Sequence, residues 1–171
     1  MVFDMQDIFI SLGANIGDPK AQLDQAILLL RAQKELEIVR VSKYYRTSPV
    51  EFTEQPDFLN VALWMRSALP VEAVHRQMQE IENVIGKDKA IPLGPRRIDI
   101  DIVLVGENIV NTKTLQIPHP KMHQRRFVLE PMMELAPERI HPILKKTLKT
   151  LWENLTHSPD EKVIPLSLIH I

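Results

Sequence analysis

The amino-acid sequence predicts an α+β fold in which an antiparallel sheet is flanked by helices. Apolar runs of strand length and segments of helical periodicity follow one another in the order β-α-β-β-α-β, with turn or loop residues between them. Of the 171 residues, 44% are hydrophobic and 25% are charged, which is typical of a globular chain with a sizeable core. We expect one domain over residues 1–156 and a loosely attached C-terminal tail over residues 157–171.

Three strands are predicted in the first half of the chain from its apolar, β-branched and aromatic runs, over residues 7–12, 36–45 and 58–67. A helix follows the first strand, because Asp18 is a good N-cap and Pro19 suits the first helical position; it ends near residue 34. A loop with two prolines, 46–57, separates the second strand from the third, which is apolar on both faces.

A second helix begins at Pro70 and ends at Gly86, a suitable C-cap. After the loop 87–95, a strand is predicted over 97–105, and residues 106–108 turn the chain into a short partner strand. Prolines on both sides of His119 exclude regular structure there. Helical segments follow, broken at Pro131 and Pro137, and residues 143–155 form an amphipathic helical pattern. Together these elements match a ferredoxin-like βαββαβ core with extra C-terminal helices, a plan that hosts many functions.

Composition excludes several classes of protein. The formal net charge of -1 argues against a chain that coats nucleic acid or an anionic membrane, and no apolar run is long enough to span a bilayer. Without cysteine, the chain has no disulfide framework, thiol nucleophile or iron–sulfur site. The N-terminus resembles no signal peptide, so we expect a cytoplasmic protein.

Two aspartates in the stretch G-P-R-R-I-D-I-D-I-V are the strongest candidates for chemistry. Asp99 and Asp101 are two apart on a predicted strand, so both side chains point to one face, roughly 6–7 Å apart. Two like charges side by side repel each other, and a divalent cation between them would remove that repulsion. Magnesium is commonly held by one or two carboxylates together with substrate phosphates. The alternative is a solvent-facing strip paired with Lys or Arg.

Basic residues surround this pair in sequence: Lys87, Lys89, Arg96, Arg97, Lys121, Arg125 and Arg126. Neighbouring acids and bases in a nearly neutral protein favour a site for phosphate and metal, although a solvated charged loop would look similar. His119 is held by its flanking prolines and could bond a phosphate or remain a surface histidine. No G-x-x-x-x-G-K-[ST] or G-x-G-x-x-G motif is present, so any nucleotide is bound without these loops.

Asn60 lies in a strand that is apolar on both faces and therefore needs a polar partner. Its amide offers a donor next to an acceptor, which suits the edge of a planar heterocycle, but a backbone partner is equally possible. Phe58 is on the same face and, with Phe127, could enclose a flat ring or simply pack in the core. On the second helix, Gln79 and Glu82 could contact a nucleotide, although water is the simpler partner.

Five stretches in order resemble one family, the 6-hydroxymethyl-7,8-dihydropterin pyrophosphokinases of folate biosynthesis. They are I-S-L-G-A-N-I-G-D-P, Y-R-T-S-P-V, Q-P-D-F-L-N-V-A, L-G-P-R-R-I-D-I-D-I-V-L and I-P-H-P-K-M-H-Q-R-R-F-V-L-E-P, and they cover the chain from about Asp7 to Pro137. The resemblance implies transfer of the β,γ-pyrophosphate of ATP to the pterin hydroxymethyl group, leaving AMP. The implied partners are ATP and 6-hydroxymethyl-7,8-dihydropterin, with neither nucleic acid nor membrane, and we expect a monomer.

The resemblance also implies roles for individual residues. Asp99 and Asp101 would hold two Mg²⁺ ions, and Asp99 would orient the attacking hydroxyl. Contacts to the ATP phosphates are implied for Arg96, His119, Arg125 and Lys87. The residues implied to border the adenosine are Gln79, Ile102 and Gln116, with Glu82 as a further nucleotide candidate. Pterin contacts are implied for Thr47, Val50 and Asn60, with the ring stacked between Phe58 and Phe127.

The loop before G-P-R departs from the family pattern. Members commonly carry R-x-R and W-G-P-R there, whereas this chain has Lys87, Lys89 and Leu93. Lysine keeps the charge but loses the two-pronged geometry of arginine, so loop closure and rate are the properties affected.

Two other functions fit some of these residues. A Mg²⁺-dependent nucleotide hydrolase could use the same aspartates but would leave Asn60 and the two phenylalanines without a role. A ferredoxin-like RNA-binding module would need exposed aromatics on a basic sheet face. Aromatic residues make up only 5% of the chain, and the central strand carries acids.

Overall fold

The computed structural model describes residues 4–49, 54–86, 97–155 and 161–166. The eight strands of this part of the chain are β1 (Gln6–Ala14), β2 (Glu37–Val41), β3 (Tyr45–Thr47), β4 (Phe58–Ser67), β5 (Asp99–Val105), β6 (Val110–Asn111), β7 (Gln116–Ile117) and β8 (Val163–Pro165). Its helices are α1 (Pro19–Arg31), α2 (Val71–Ile85), α3 (Arg126–Leu135) and α4 (Leu148–Glu153), with a 3₁₀ turn over Met122–Gln124.

The main sheet is antiparallel and has the strand order β5-β1-β4-β3-β8, with β2 also paired to β4. Helices α1 and α2 cover one face, where the larger apolar core lies, and α3 and α4 cover part of the other face. The α+β, ferredoxin-like core that the sequence predicts is confirmed.

Local sequence signals set several element ends. The Asp18 side chain accepts a hydrogen bond from the backbone N–H of Ala21 at 3.2 Å and caps α1, with Pro19 in the first turn. Helix α2 ends at Gly86, whose φ of 98° is in the left-handed region that glycine adopts without strain. These boundaries agree with the sequence prediction.

The predicted strand over 36–45 is two strands instead of one. Between β2 and β3, Ser42 donates its N–H to the Ala62 carbonyl, and its hydroxyl accepts the Ala62 N–H at 2.9 Å. The serine side chain takes the place of a backbone acceptor, which interrupts the regular ladder there. β3 therefore extends to Thr47, into the predicted loop.

Three predictions about the second half are wrong. Strand β6 pairs with β7 rather than with β5, because the His119 N–H donates to the Val103 carbonyl at 2.9 Å and occupies the outer edge of β5. Pro131 lies inside α3 and does not break it, since burial of neighbours such as Leu129 and Met132 outweighs one lost backbone bond. The amphipathic segment 143–155 is helical only over α4, after a turn in which the His141 ring accepts two backbone N–H groups.

The described part of the C-terminal tail is not loosely attached. Residues 163–165 form β8 and pair with β3 along the edge of the main sheet. Val163 is buried there. Among the described residues, no helix has the length and hydropathy needed to cross a bilayer.

Candidate active site

The candidate site lies on the α3 side of the sheet, at the end that α3 leaves uncovered. Its centre is Gly13 of β1, which is the register partner of Asp99 on β5 and of Asn60 on β4. Residues opposite each other in an antiparallel sheet point to the same face, so the carboxylate and the amide flank the glycine on one surface. With strands about 4.8 Å apart, their Cα atoms are separated by roughly 10 Å.

The two aspartates share this surface, as the sequence predicts. Asp101 lies opposite Ser11, two residues before Gly13 on β1, and both aspartates are half-buried. The described residues contain no group of three or more His, Cys, Asp and Glu side chains suited to enclosing a metal. A pair of carboxylates fits a cation such as magnesium, which completes its shell with water and phosphate oxygens.

The Asn60 amide is hydrogen-bonded to Thr47 on one side and lies over the backbone of Gly13 on the other. Its Nδ2 donates to the Thr47 hydroxyl, and both side chains are buried, 4% and 1% exposed. Its Oδ1 lies over Gly13, where a Cβ atom would be only 2.5 Å away. The same Cβ would lie 3.8 Å from the Phe58 ring. Because Gly13 has no side chain, the space beside the Asn60 amide and the Phe58 ring edge is free of a Cβ atom.

Asn15 also supports this end of the sheet, although it is not among the site residues predicted from the sequence. Its buried Nδ2 donates to Gln55 Oε1 at 2.8 Å and to the Pro56 carbonyl at 3.0 Å. These bonds tie the end of β1 to the segment that leads into Phe58. The only sequence signal was an asparagine directly after a buried strand.

His119 and Arg125 lie on the β5 side of the site. His119 Nδ1 accepts the Lys121 N–H at 3.1 Å, so the ring proton is on Nε2. Burial and the charge of Arg125 lower the pKa of His119 to about 4, although Asp99 opposes this shift. The ring is therefore a neutral donor at neutral pH. The Arg125 guanidinium lies 5.6 Å from the centre of the Phe127 ring, in the first turn of α3.

Gln79 borders a cleft of about 330 Å³ between α2 and the β6–β7 hairpin. Its lining residues are Glu72, His75, Arg76, Gln79, Val110, Thr112, Thr114 and Leu115. Gln116 is exposed on the same hairpin, and its Nε2 lies 3.5 Å from Asn111 Oδ1. The cleft is lined mostly by polar side chains from the two elements, and it can admit a group the size of a nucleoside.

Two candidates are placed differently from the other predicted residues. Glu82 does not face water: it is 5% exposed, and its Oε2 accepts the Ile100 N–H at 3.0 Å, which joins α2 to β5 between the two aspartates. Ile102 lies on the opposite face of β5, buried in the core beneath α1 and α2. Its side chain is 5% exposed.

Five residues named in the sequence analysis lie outside the described part of the chain: Val50, Lys87, Lys89, Leu93 and Arg96. Of the described candidates, Thr47, Phe58, Asn60, Asp99 and Asp101 lie at one end of the sheet, and Gln79 borders the cleft between α2 and the β6–β7 hairpin.

Known proteins match most of the chain. The family model for 7,8-dihydro-6-hydroxymethylpterin-pyrophosphokinase matches residues 9–137. The 2-amino-4-hydroxy-6-hydroxymethyldihydropteridine pyrophosphokinase of Bacillus subtilis is 38% identical over 128 residues, which cover 75% of this chain and 77% of that protein. The enzyme of that name from Aquifex aeolicus is 34% identical over 155 residues, covering 91% of this chain and 96% of its own length.

Longer proteins contain a matching region. The folic acid synthesis protein fol1 of Pneumocystis carinii is 32% identical to this chain over 162 residues. These residues cover 95% of this chain but only 22% of that protein. The fold is also that of the crystal structure of Plasmodium falciparum HPPK-DHPS with pteroate, at a TM-score of 0.69 and 14% identity, covering 90% of this chain and 43% of that one. The family model matches most of the chain, and the two bacterial relatives are each covered over more than two thirds of their length, which shows that this chain belongs to the 7,8-dihydro-6-hydroxymethylpterin-pyrophosphokinase family, a family of diphosphokinases of folate biosynthesis.

Proposed function

We propose that this chain transfers the β,γ-pyrophosphate of ATP to the hydroxymethyl group of 6-hydroxymethyl-7,8-dihydropterin. The hydroxyl oxygen forms a bond to the β-phosphorus, the bond from that phosphorus to the α-phosphate oxygen breaks, and the hydroxyl proton is released. The products are AMP and the pterin diphosphate. The protein acts as a monomer in the cytoplasm.

The register of Gly13 with both Asp99 and Asn60 is the observation that carries this proposal. It supports an arrangement in which a flat acceptor lies over the glycine, between an amide that recognises its edge and a carboxylate pair that faces the phosphates. A separation of roughly 10 Å between the two Cα atoms suits a bicyclic ring with a short hydroxymethyl arm. Catalysis then depends on holding donor and acceptor in line.

Asp99 and Asp101 would hold two Mg²⁺ ions. When bound, magnesium neutralises triphosphate charge and aligns the donor with the acceptor. The aspartates themselves supply negative charge at a half-buried surface, and Asp99, the nearer of the two to Asn60 in the register, orients the attacking hydroxyl by accepting its hydrogen bond.

The phosphates of ATP contact the β5 side of the site. His119 donates a hydrogen bond from Nε2 as a neutral group. Arg125 contributes a positive charge, and its planar guanidinium can donate two parallel hydrogen bonds to a phosphate. Arg96 and Lys87 add positive charge in this proposal. The adenosine occupies the cleft beside Gln79, with Gln116 and the backbone of Ile102 at its border.

The pterin is recognised at the β4 side. Asn60 is positioned by Thr47, so that Oδ1 and the second hydrogen of Nδ2 are left for the ring edge. Phe58 and Phe127 stack on the ring faces, and Val50 completes the contact. Because the Thr47 bond sets the amide orientation, the pocket presents a defined donor and acceptor pattern to the ring.

The nucleotide product tests this reaction. Purified protein is incubated with Mg-ATP, with and without 6-hydroxymethyl-7,8-dihydropterin, and the nucleotides are separated by ion-exchange chromatography. AMP that forms only with pterin is the expected result. ADP would mean transfer of a single phosphate, and AMP or ADP formed without pterin would mean hydrolysis.

The magnesium requirement is tested separately from the product. Activity should disappear when EDTA is added and return when Mg²⁺ is restored in excess, and the dependence on free Mg²⁺ should fit two ions better than one. Full activity in the presence of EDTA would contradict the role given to the two aspartates.

A further inference from the structure

The C-terminal strand β8 continues the main sheet beyond β3. Tyr45 pairs with Pro165 and Thr47 with Val163. Backbone hydrogen bonds extend the ladder at both ends: the Ser48 N–H donates to the Lys162 carbonyl at 3.1 Å, and the Leu166 N–H donates to the Tyr44 carbonyl at 2.8 Å. The whole length of β3 is therefore held between β4 and β8.

Strand β3 has only three residues and depends on its neighbours for a fixed position. One of the three is Thr47, whose hydroxyl accepts the Asn60 amide proton. Thr47 is 1% exposed, and Val163, its register partner on β8, is 6% exposed. Solvent is therefore largely excluded from this pair. Any displacement of β8 is passed to Thr47 and from there to the orientation of the Asn60 amide.

Lys162 joins the two ends of the segment that connects β3 to β4. At the first end, the Lys162 backbone N–H donates to the Ser48 hydroxyl at 2.9 Å. The Ser48 backbone N–H in turn donates to the Lys162 carbonyl. At the second end, its Nζ lies 3.0 Å from Asp57 Oδ2. Asp57 directly precedes Phe58, so one residue contacts the neighbours of both Thr47 and the stacking phenylalanine.

We propose that β8 and Lys162 position the pterin subsite, with Lys162 as a positioning residue that acts through Ser48 and Asp57. This inference rests on the proposed function, because it assigns Thr47, Phe58 and Asn60 to the pterin. It predicts a selective effect. The cleft beside Gln79 and the His119 side of the site adjoin β5, at the opposite edge of the sheet from β8. Loss of the Lys162 contacts should therefore weaken pterin binding and leave ATP binding unchanged.

Substitution of either charged partner tests this selectivity. Lys162→Met and Asp57→Asn should each raise the Kd for 6-hydroxymethyl-7,8-dihydropterin about two- to fivefold, the range of a partly exposed ion pair. The Kd is measured by fluorescence titration with saturating α,β-methylene-ATP, and the Kd of that nucleotide is measured alone by calorimetry. The double variant should bind pterin no more weakly than either single variant, because both remove one interaction.

Two further variants separate positioning from general stability. The exchange Lys162→Asp with Asp57→Lys should restore most of the pterin affinity, because it rebuilds the ion pair in reverse. Lys149→Met removes an exposed lysine on α4, far from β3, and is the matched control; it should leave both Kd values unchanged.

A chain that stops after residue 160 removes β8 completely. If its circular dichroism matches that of the full chain, pterin affinity should fall about tenfold or more while the nucleotide Kd is retained. If it does not fold, the point variants alone decide the matter. Point variants with wild-type pterin affinity, or with pterin and nucleotide affinities that fall together, would overturn the positioning role. Absence of pterin-dependent AMP from the wild-type chain would instead overturn the proposed function.

Discussion

A single glycine separates the two halves of the site. Gly13 lies between Asp99 and Asn60 in the sheet, and a methyl group there would lie 2.5 Å from Asn60 Oδ1. Because Asn60 is buried and bonded to Thr47, it cannot move aside without losing that bond.

Gly13→Ala should therefore weaken pterin binding at least tenfold, with little change in nucleotide affinity. Calorimetry with each ligand measures both quantities. Gly106→Ala is the control: it places a side chain at a φ of 51° with no neighbour closer than 3.7 Å, and the strained backbone should cost about 1 kcal/mol of stability. If both variants lose pterin affinity equally, general destabilisation explains the loss, and the space above Gly13 has no special role.

Substitution of the paired carboxylates should affect turnover, whereas substitution of Gly13 should affect pterin affinity. Asp99→Asn and Asp101→Asn keep the side-chain size but remove a charge from a half-buried surface where two like charges adjoin. We expect kcat to fall by about 10²-fold or more, since metal ions at such sites supply several kcal/mol of charge stabilisation. A variant with normal turnover would remove that aspartate from the metal site.

At the scale of elements, the bond between α2 and β5 links the fold to the site. Glu82 is buried in the last turn of α2, and its carboxylate accepts the N–H of Ile100, the residue between the two aspartates. The helix therefore fixes the strand that carries the two aspartates.

Glu82→Ala would leave the buried Ile100 N–H without this acceptor and should lower the free energy of unfolding by about 1–3 kcal/mol. Glu82→Gln retains an acceptor oxygen and should cost less. Urea denaturation at pH 7 measures both, and the free Mg²⁺ concentration at half-maximal activity should rise in the alanine variant. Equal stabilities of the alanine variant and the wild type would show that the bond contributes nothing.

A boundary of a helix or strand can be predicted from the sequence when the residues that set it are close to it along the chain. Helices α1 and α2 were predicted well, because Asp18, Pro19 and Gly86 act within one turn. The division of the second strand at Ser42 depends on Ala62, and the helical continuity at Pro131 depends on the core around α3. Those contacts are distant in sequence and leave no local pattern to recognise.

At the scale of the whole molecule, Asp7 joins three distant segments at the end of the sheet away from the site. It accepts hydrogen bonds from Trp64 Nε1 at 2.8 Å and from the Arg139 guanidinium at 2.9 Å, and Arg66 lies 3.4 Å away. Burial raises the pKa of the Asp7 carboxyl, but the hydrogen bonds from Trp64 and Arg139 and the nearby positive charges outweigh this effect, so the pKa lies below its ordinary value.

A carboxyl whose pKa is lower in the folded state stabilises the protein above its unfolded pKa of about 3.9, and this contribution is lost as the pH falls through the folded value. Asp7→Asn should therefore be less stable than the wild type at pH 7, with a difference that shrinks below about pH 4. Urea denaturation across this pH range measures the difference. A stability gap independent of pH would mean that shape, not charge, is what Asp7 contributes.

Local patterns in the sequence were enough to predict which side chains share a face of the sheet, and to propose a chemistry for them. Side chains alternate along a strand, so Asp99 and Asp101 had to share a face, and Phe58 and Asn60 likewise. The ordered motifs identified the family. The described candidates His119, Arg125 and Gln79 do adjoin the β5 side of the site and the cleft beside α2.

The folded structure sets which strands lie next to each other and in what register. It placed Gly13 between Asp99 and Asn60, buried Glu82 under β5 and joined β8 to β3. The physical reason is that strand pairing is formed by backbone groups, which are the same in every residue, whereas the register and the choice of partner depend on the packing of side chains from distant parts of the chain.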